Sequence, residues 1–307
     1  MVLPKVSVII PNYNHERFIK QRIESVINQT YANVEVIILD DASSDGSKNT
    51  IDGFASNSLI KEIIINEKNS NSPFKQWQKG IMRATGEWIW IAESDDYADK
   101  NFLQTLIHAL IGKSNIGLVY CDSKIVADNT ISEFSFSALK NEKLKTDRWS
   151  NDYFNVGIKE IQDYLLPFGT INNTSAVLFN KRILVEANPF DITFRYIGDK
   201  YAFIKVLAKA DVLYVKESLN YCRNPLTIKY QNAHNLYKEH FLIFDWVYKN
   251  LAIPNEKFRT AFYQNTRYTF YRNWDMLKLT VYIGLFKKNP LLFIKSLLHN
   301  IVAPIHT

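Results

Sequence analysis

Between residues 6 and 121, short apolar runs alternate with stretches whose apolar residues recur three and four apart. Val6-Ser7-Val8-Ile9-Ile10 reads as a strand, and Glu16 to Gln29 sets Phe18, Ile19, Ile23, Val26 and Ile27 on one helical face. Val34 to Leu39 predicts a second strand, the stretch after Asp45-Gly46-Ser47 a short helix, and Lys61 to Ile65 a third strand. Phe74 to Ala84 predicts a helix that Gly86 stops. Trp88-Ile89-Trp90-Ile91 is a fourth strand, Asn101 to Ile111 a helix, and Ile116 to Cys121 a further strand. Strands alternating with helices at this spacing predict an α/β fold on a mainly parallel sheet.

Three polar clusters follow three of these strands: Pro11-Asn12-Tyr13-Asn14, the run Asp40 to Asp45, and Glu93-Ser94-Asp95-Asp96. In open parallel sheets, ligands bind beyond the carboxyl ends of the strands. Turn chemistry accounts for any one cluster; three in equivalent places predict a nucleotide crevice. Three carboxylates within four residues repel one another unless something positive sits between them. Hard oxygen ligands at a strand end suit Mg²⁺ or Mn²⁺. No G-x-G-x-x-G follows the first strand, and the chain has no G-x-x-x-x-G-K-[ST], which excludes the common dinucleotide and P-loop sites. A metal on the Asp95–Asp96 pair is left to neutralise the phosphates.

Composition narrows the class. With 307 residues, 47% hydrophobic and 14% aromatic, the chain is globular and long enough for one large domain or one domain with an appendage. Cys121 and Cys222 lie far apart and offer neither metal-ligand spacing nor a disulfide framework, which fits a reducing cytosol. Pro11 ends the first apolar run too soon for a signal peptide, and no run of about 18 apolar residues predicts a membrane span. The net charge of +6 is concentrated in residues 251–307, which hold eight Lys or Arg against two acids.

The tail is aromatic and helical in pattern. Tyr237, Phe241, Phe244, Phe262 and Trp274 suit core packing. Asn289 is a good N-cap and Pro290 a good first helical residue. Leu291, Ile294, Leu298, Ile301 and Val302 then share one face, flanked by Lys287, Lys288 and Lys295. This suits an interfacial helix over 287–302 on anionic lipid, or a helix docked on the rest of the chain or on a second copy in a homodimer. No base-reading pattern points to nucleic acid. Leu139 to Trp149 is charged and predicts an exposed excursion.

The clusters, in their order and spacing, resemble the family 2 glycosyltransferases of bacterial surface-polysaccharide type. The resemblance rests on Val6 to Asn14, Leu39 to Ser47, Ala84 to Asp96, and Ile197-Gly198-Asp199. It implies a GT-A fold: a Rossmann-like nucleotide-binding half and an acceptor half around one mixed, mainly parallel sheet. It implies a catalytic domain over 1–230 with a helical C-terminal extension over 231–307. The implied activity is metal-dependent, inverting transfer of a hexosyl or N-acetylhexosaminyl group from a nucleotide sugar, most naturally a UDP sugar. The implied acceptor is a hydroxyl of a glycan or lipid-linked glycan, at the cytoplasmic face of the membrane.

The resemblance also assigns roles. Pro11, Asn12, Tyr13 and Asn14 line the nucleotide site, with Tyr13 stacked on the base. Asp41 hydrogen-bonds the base, and Asp95 and Asp96 hold the ribose and a Mn²⁺ or Mg²⁺ ion. Glu93 stands where the family commonly has Asp, and Ala42 where it commonly has Gly, which matters only if that position needs φ > 0. Asp199 is the implied general base; read from the residues alone, it is a helix N-cap. Asn172 and Asn173 are candidates for an acceptor hydroxyl, or a turn before a strand. Arg223 is a candidate for the diphosphate, or for a surface ion pair. A nucleotidyltransferase and a non-catalytic nucleotide or sugar binder are the alternative functions.

Overall fold

The computed structural model describes residues 3–127, 130–223, 233–271 and 279–302. Trp274 and the expected boundary at residue 230 lie outside them. Ten strands among the described residues form one sheet: β1 (Val6–Asn12), β2 (Val34–Asp40), β3 (Ile60–Ile65), β4 (Trp88–Ile91), β5 (Tyr97–Ala98), β6 (Ile116–Ala127), β7 (Thr130–Ser135), β8 (Tyr153–Asn155), β9 (Val177–Asn180) and β10 (Asp211–Arg223). The order is β3-β2-β1-β4-β9-β6-β10-β5, with β7 on β6 and β8 on β10. β3, β2, β1 and β4 are parallel, β9 runs antiparallel between β4 and β6, and β6 and β10 are again parallel. This is the mixed, mainly parallel sheet expected.

All seven residues of β1 and of β2 are buried, because helices cover both faces of the sheet. The side chains alternate between two cores as a period of two requires. Val6, Val8, Ile10, Trp88 and Trp90 face the helices Glu16–Ile27 and Phe102–Ala109. Ile9, Ile37, Leu39, Ile89 and Ile91 face the helices Pro73–Arg83 and Gly198–Leu207. Register pairs Asn12 with Asp40 and Ile9 with Ile91, so the ends of β1, β2 and β4 share one edge.

The C-terminal helices Ala233–Asn250, Asn255–Tyr271, Leu279–Lys288 and Pro290–Val302 add to the second core through Tyr237, Phe241, Phe244, Phe258, Phe262 and Phe293. The last helix docks by Leu292 and Phe293. The expected stripe of Leu291, Ile294 and Leu298 is exposed, as are Ile283 and Phe286 on the helix before it. The side chains of Ile301 and Val302 lie outside those described. No helix among the described residues is long and apolar enough to cross a membrane.

Two local expectations change. The stretch Leu139 to Trp149 is exposed only in part: Phe136–Leu144 is a helix with no buried residue, but Trp149 at the far end is only 1% exposed. The Lys140 ammonium lies 4.9 Å from the Trp149 ring centroid and within 5.6 Å of those of Tyr120 and Tyr214. A lysine on π-faces carries its charge inward, against the usual reading of a charged run. The second change concerns Ala42, whose φ is +61°. The position does need the left-handed region, so alanine there carries about 1 kcal/mol of backbone strain that glycine would not.

Candidate active site

Beyond the shared edge lies a cavity of about 380 Å³, lined by Pro11, Asn12, Tyr13, His15, Asp41, Gln76, Glu93, Ser94 and Arg195 among others. All three polar clusters therefore meet in one place. Asn12 is buried and donates to Asp40 Oδ2 at 2.8 Å and to Ser43 Oγ at 3.2 Å. Asn14, at φ +55°, accepts from the Ser44 backbone N–H at 2.8 Å. Both asparagines tie the β1 loop to the β2 loop. Tyr13 between them is 48% exposed, which leaves its ring available for stacking.

Asp41 is fixed on all sides. Its Oδ1 accepts from Asn66 Nδ2 at 2.6 Å, the Ser70 backbone N–H at 2.9 Å and Gln76 Nε2 at 2.8 Å. Its Oδ2 accepts only from Ser70 Oγ, at 2.8 Å. Oδ1 is thus crowded with donors while Oδ2 takes a single bond, so Oδ2 is the oxygen with room for a ligand N–H. Sequence reasoning missed Asn66, Ser70 and Gln76. The polar run Asn69-Ser70-Asn71-Ser72 before a helix was the available signal.

The acidic end of β4 is arranged around two arginines. Arg223 donates its backbone N–H to Asp96 Oδ1 at 2.9 Å and its Nη1 to the Asp95 carbonyl at 2.6 Å, and it also bonds Gln21. Its guanidinium lies 4.8 Å from the Phe18 ring and 4.7 Å from the Tyr97 ring. It is not a surface ion pair: the aromatic sandwich holds it against the cluster. Arg22, which sequence reasoning missed, is fully buried and donates Nε to the Glu93 carbonyl at 2.8 Å. Burial, and then repulsion from Asp95 and Asp96, pushes Glu93 up to about 8. Burial, and then Asp95, pushes Asp96 up to about 6.

No group of three His, Cys, Asp or Glu among the described residues is set to hold an ion alone. Glu93 Oε1 is buried and makes no close hydrogen bond, the Trp77 side chain being the donor that acts on its carboxyl, and burial followed by mutual repulsion raises Glu93 and Asp96. Asp95 and Asp96, with Glu93 beside them, offer the oxygens that Mg²⁺ or Mn²⁺ prefers.

Asp199 lies in the first turn of Gly198–Leu207, but Ile197 takes the N-cap position. Asp199 Oδ1 accepts from the Lys200 backbone N–H at 2.7 Å. Burial pushes its carboxyl up to about 6. The loop before it is anchored by Glu239, on the first C-terminal helix, whose carboxylate accepts from the backbone N–H groups of Arg195, Tyr196 and Ile197 at 2.7, 2.9 and 2.9 Å. A Cβ on Gly198 would collide with Phe74 and Phe194, so the helix start sits hard against the helix that carries Gln76. Asn173 Oδ1 accepts from the Ala176 backbone N–H at 3.0 Å and caps a turn before β9, while Asn172 is exposed. Asn14, Asp95, Asp96, Asn172, Asn173, Asp199 and Arg223 are not among the residues that line the 380 Å³ cavity; Glu93 and Ser94 are the part of the third cluster that reaches it.

The family model described as "Glycosyl transferase family 2" matches residues 7–161. The chain is 36% identical over 126 residues to the Escherichia coli UDP-Glc:alpha-D-GlcNAc-diphosphoundecaprenol beta-1,3-glucosyltransferase WfgD, covering 41% of this chain and 48% of that one. It is 27% identical over 168 residues to the Campylobacter jejuni GalNAc(5)-diNAcBac-PP-undecaprenol beta-1,3-glucosyltransferase, covering 52% and 53%. The chain thus spans about half the length of these relatives. Among solved structures, S. aureus TarS 1–349 in complex with UDP-GlcNAc superposes with a TM-score of 0.68 at 16% identity, over 95% of this chain and 81% of that one. That likeness reaches well past residue 161 and shows the GT-A fold expected from the sequence. Since the family match covers half of the chain, in the region that builds the cavity, the chain belongs to glycosyl transferase family 2.

Proposed function

We propose that this chain transfers a sugar from a UDP sugar to a hydroxyl of a glycan or lipid-linked glycan, with inversion at the anomeric carbon. The observation that carries this reading is Asp41. Its carboxylate is locked by four hydrogen bonds, three of them on Oδ1, which leaves Oδ2 the less occupied oxygen, in a cavity also lined by the exposed Tyr13 ring and by Glu93 and Ser94. A uracil imide N–H meets that acceptor while Tyr13 stacks on the ring. The relatives named for undecaprenol-linked substrates, and TarS with its UDP-GlcNAc, support the same donor and acceptor classes.

Asp95 and Asp96 would hold the cation, with Glu93 beside them, and the bound ion would stabilise the charge of the departing diphosphate. Arg195 adds positive charge at the cavity. Asp199 accepts the proton of the attacking acceptor hydroxyl as the bond from the anomeric carbon to the diphosphate breaks. A carboxyl at about 6 is ionised at neutral pH, yet more basic than an ordinary aspartate.

The direct test is a thermal-shift panel of nucleoside diphosphates and nucleotide sugars, with Mn²⁺ and with chelator. The expected result is Mn²⁺-dependent stabilisation by UDP and by one UDP sugar. A shift with thymidine or guanosine diphosphate alone would overturn the donor, and no shift with any nucleotide would overturn the transferase reading. We also infer that the exposed Leu291, Ile294 and Leu298, with Lys287, Lys288 and Lys295, meet an anionic membrane surface. The protein is expected to sediment with anionic vesicles at low salt and to stay in the supernatant with neutral ones; equal behaviour with both would sink that inference.

A further inference from the structure

Arg22 sits in the middle of the helix Glu16–Ile27, on the same face as Ile19, Ile23 and Val26. It is a charged side chain with no exposure at all. Burying a guanidinium is costly unless its charge is compensated. Three contacts are available to it. Nε reaches the Glu93 carbonyl at 2.8 Å, the guanidinium lies 5.5 Å from the Trp90 ring centroid, and three carboxylates act on it, Asp96 most strongly, then Asp95 and Glu93.

It does not close on any of those carboxylates. Nη1 and Nη2 are buried and have no hydrogen-bond partner, and Arg22 makes no ion pair among the described residues. Glu93 Oε1 is buried and makes no close hydrogen bond either, and the side-chain donor that acts on that carboxyl is Trp77 rather than Arg22. A closed salt bridge would occupy the carboxylate oxygens. A guanidinium held back from them neutralises through space and leaves them open. Arg223 contributes less in this respect, since its hydrogen bonds go to backbone carbonyl and Gln21 and its charge is shared with two rings.

We propose that Arg22 is a resident counter-charge beneath the acidic strand end, which offsets part of the repulsion among its carboxyl groups and holds down their affinity for a free divalent cation. The ion is thereby admitted together with the diphosphate, whose oxygens complete its ligand shell, rather than ahead of it. Arg22 is a positioning residue: it touches neither donor nor acceptor. The second half of the inference, the pairing of ion and diphosphate, rests on the glycosyltransferase reading; the first half does not.

The test is Mn²⁺ binding to the nucleotide-free full chain by titration calorimetry, for the wild type, R22M and R22K. Removing one unit of positive charge beside the cluster is expected to tighten binding of Mn²⁺ alone by about tenfold or more in R22M. R22K keeps the charge, so it is expected to stay within about threefold of the wild type. R22M with wild-type Mn²⁺ affinity overturns the proposal, and so does R22K behaving like R22M. If R22M is too unstable to titrate, its melting temperature is read with and without Mn²⁺. A larger rise than in the wild type supports the counter-charge, and an equal or smaller one overturns it. UDP is then added to each protein. A wild type that ignores UDP while R22M still gains Mn²⁺ affinity would sink the nucleotide reading and leave the counter-charge standing.

Discussion

Asparagine at position 199 is expected to leave UDP-sugar binding intact and to slow transfer by about 10²–10⁴-fold, the usual contribution of a general base. The substitution is nearly isosteric, and Asn Oδ1 can still accept from the Lys200 backbone N–H that now bonds Asp199. The helix start should therefore survive, and a circular dichroism melt checks that it does. The pH profile gives the independent readout. Burial holds the Asp199 carboxyl at about 6, above the ordinary aspartate value, so the base is protonated below that pH and ionised above it. At saturating Mn²⁺ and donor, which keep Asp96 ionised although it too lies at about 6 in the free protein, wild-type transfer is expected to rise through about pH 6 to a plateau, and the residual activity of D199N to lose that limb. A variant that transfers at the wild-type rate would reduce Asp199 to a helix-turn residue.

The second large effect is on the donor rather than on the chemistry. D96N is expected to weaken Mn²⁺-dependent UDP binding by about 10²-fold, in the range found when one member of a buried charged pair is truncated. Asp96 is 4% exposed and receives the Arg223 backbone N–H, so the change removes one of three clustered charges while the surrounding contacts stay available. UDP binding measured in chelator should change far less. Equal losses with and without Mn²⁺ would mean that Asp96 shapes the site without serving the ion. D199N and D96N thus separate rate from affinity, which a general loss of folding could not do.

Much of this architecture was legible in the chain. Val6 to Ile10 and Trp88 to Ile91 announced buried strands because their side chains alternate between two apolar faces, and the three clusters after the strands announced a shared edge. What stayed hidden depends on long sequence separations. Asn66, Ser70 and Gln76 hold Asp41 from 25 to 35 residues away, and no periodicity marks that convergence. Arg22 did leave a trace: it falls three residues after Ile19 and four before Val26, on the stripe that goes inward. A basic residue in an amphipathic helix is normally read as solvated, and that habit concealed it. The same habit placed the stretch from Leu139 to Trp149 in water, although Lys140 covers three aromatic rings there.

The position of β9 has a consequence for how this protein could be divided. The recognisable family sequence ends at residue 161, yet β9, at Val177–Asn180, is the strand that joins β4 to β6. A fragment cut at the end of the match would carry Tyr13, Asp41 and the acidic strand end but lack the strand that holds the two halves of the sheet together. It would also lack Asp199, Arg223 and the Glu239 anchor. The stretch most easily recognised is thus not a module that recombination or truncation could move intact; the inheritable unit of this site runs at least as far as the first C-terminal helix.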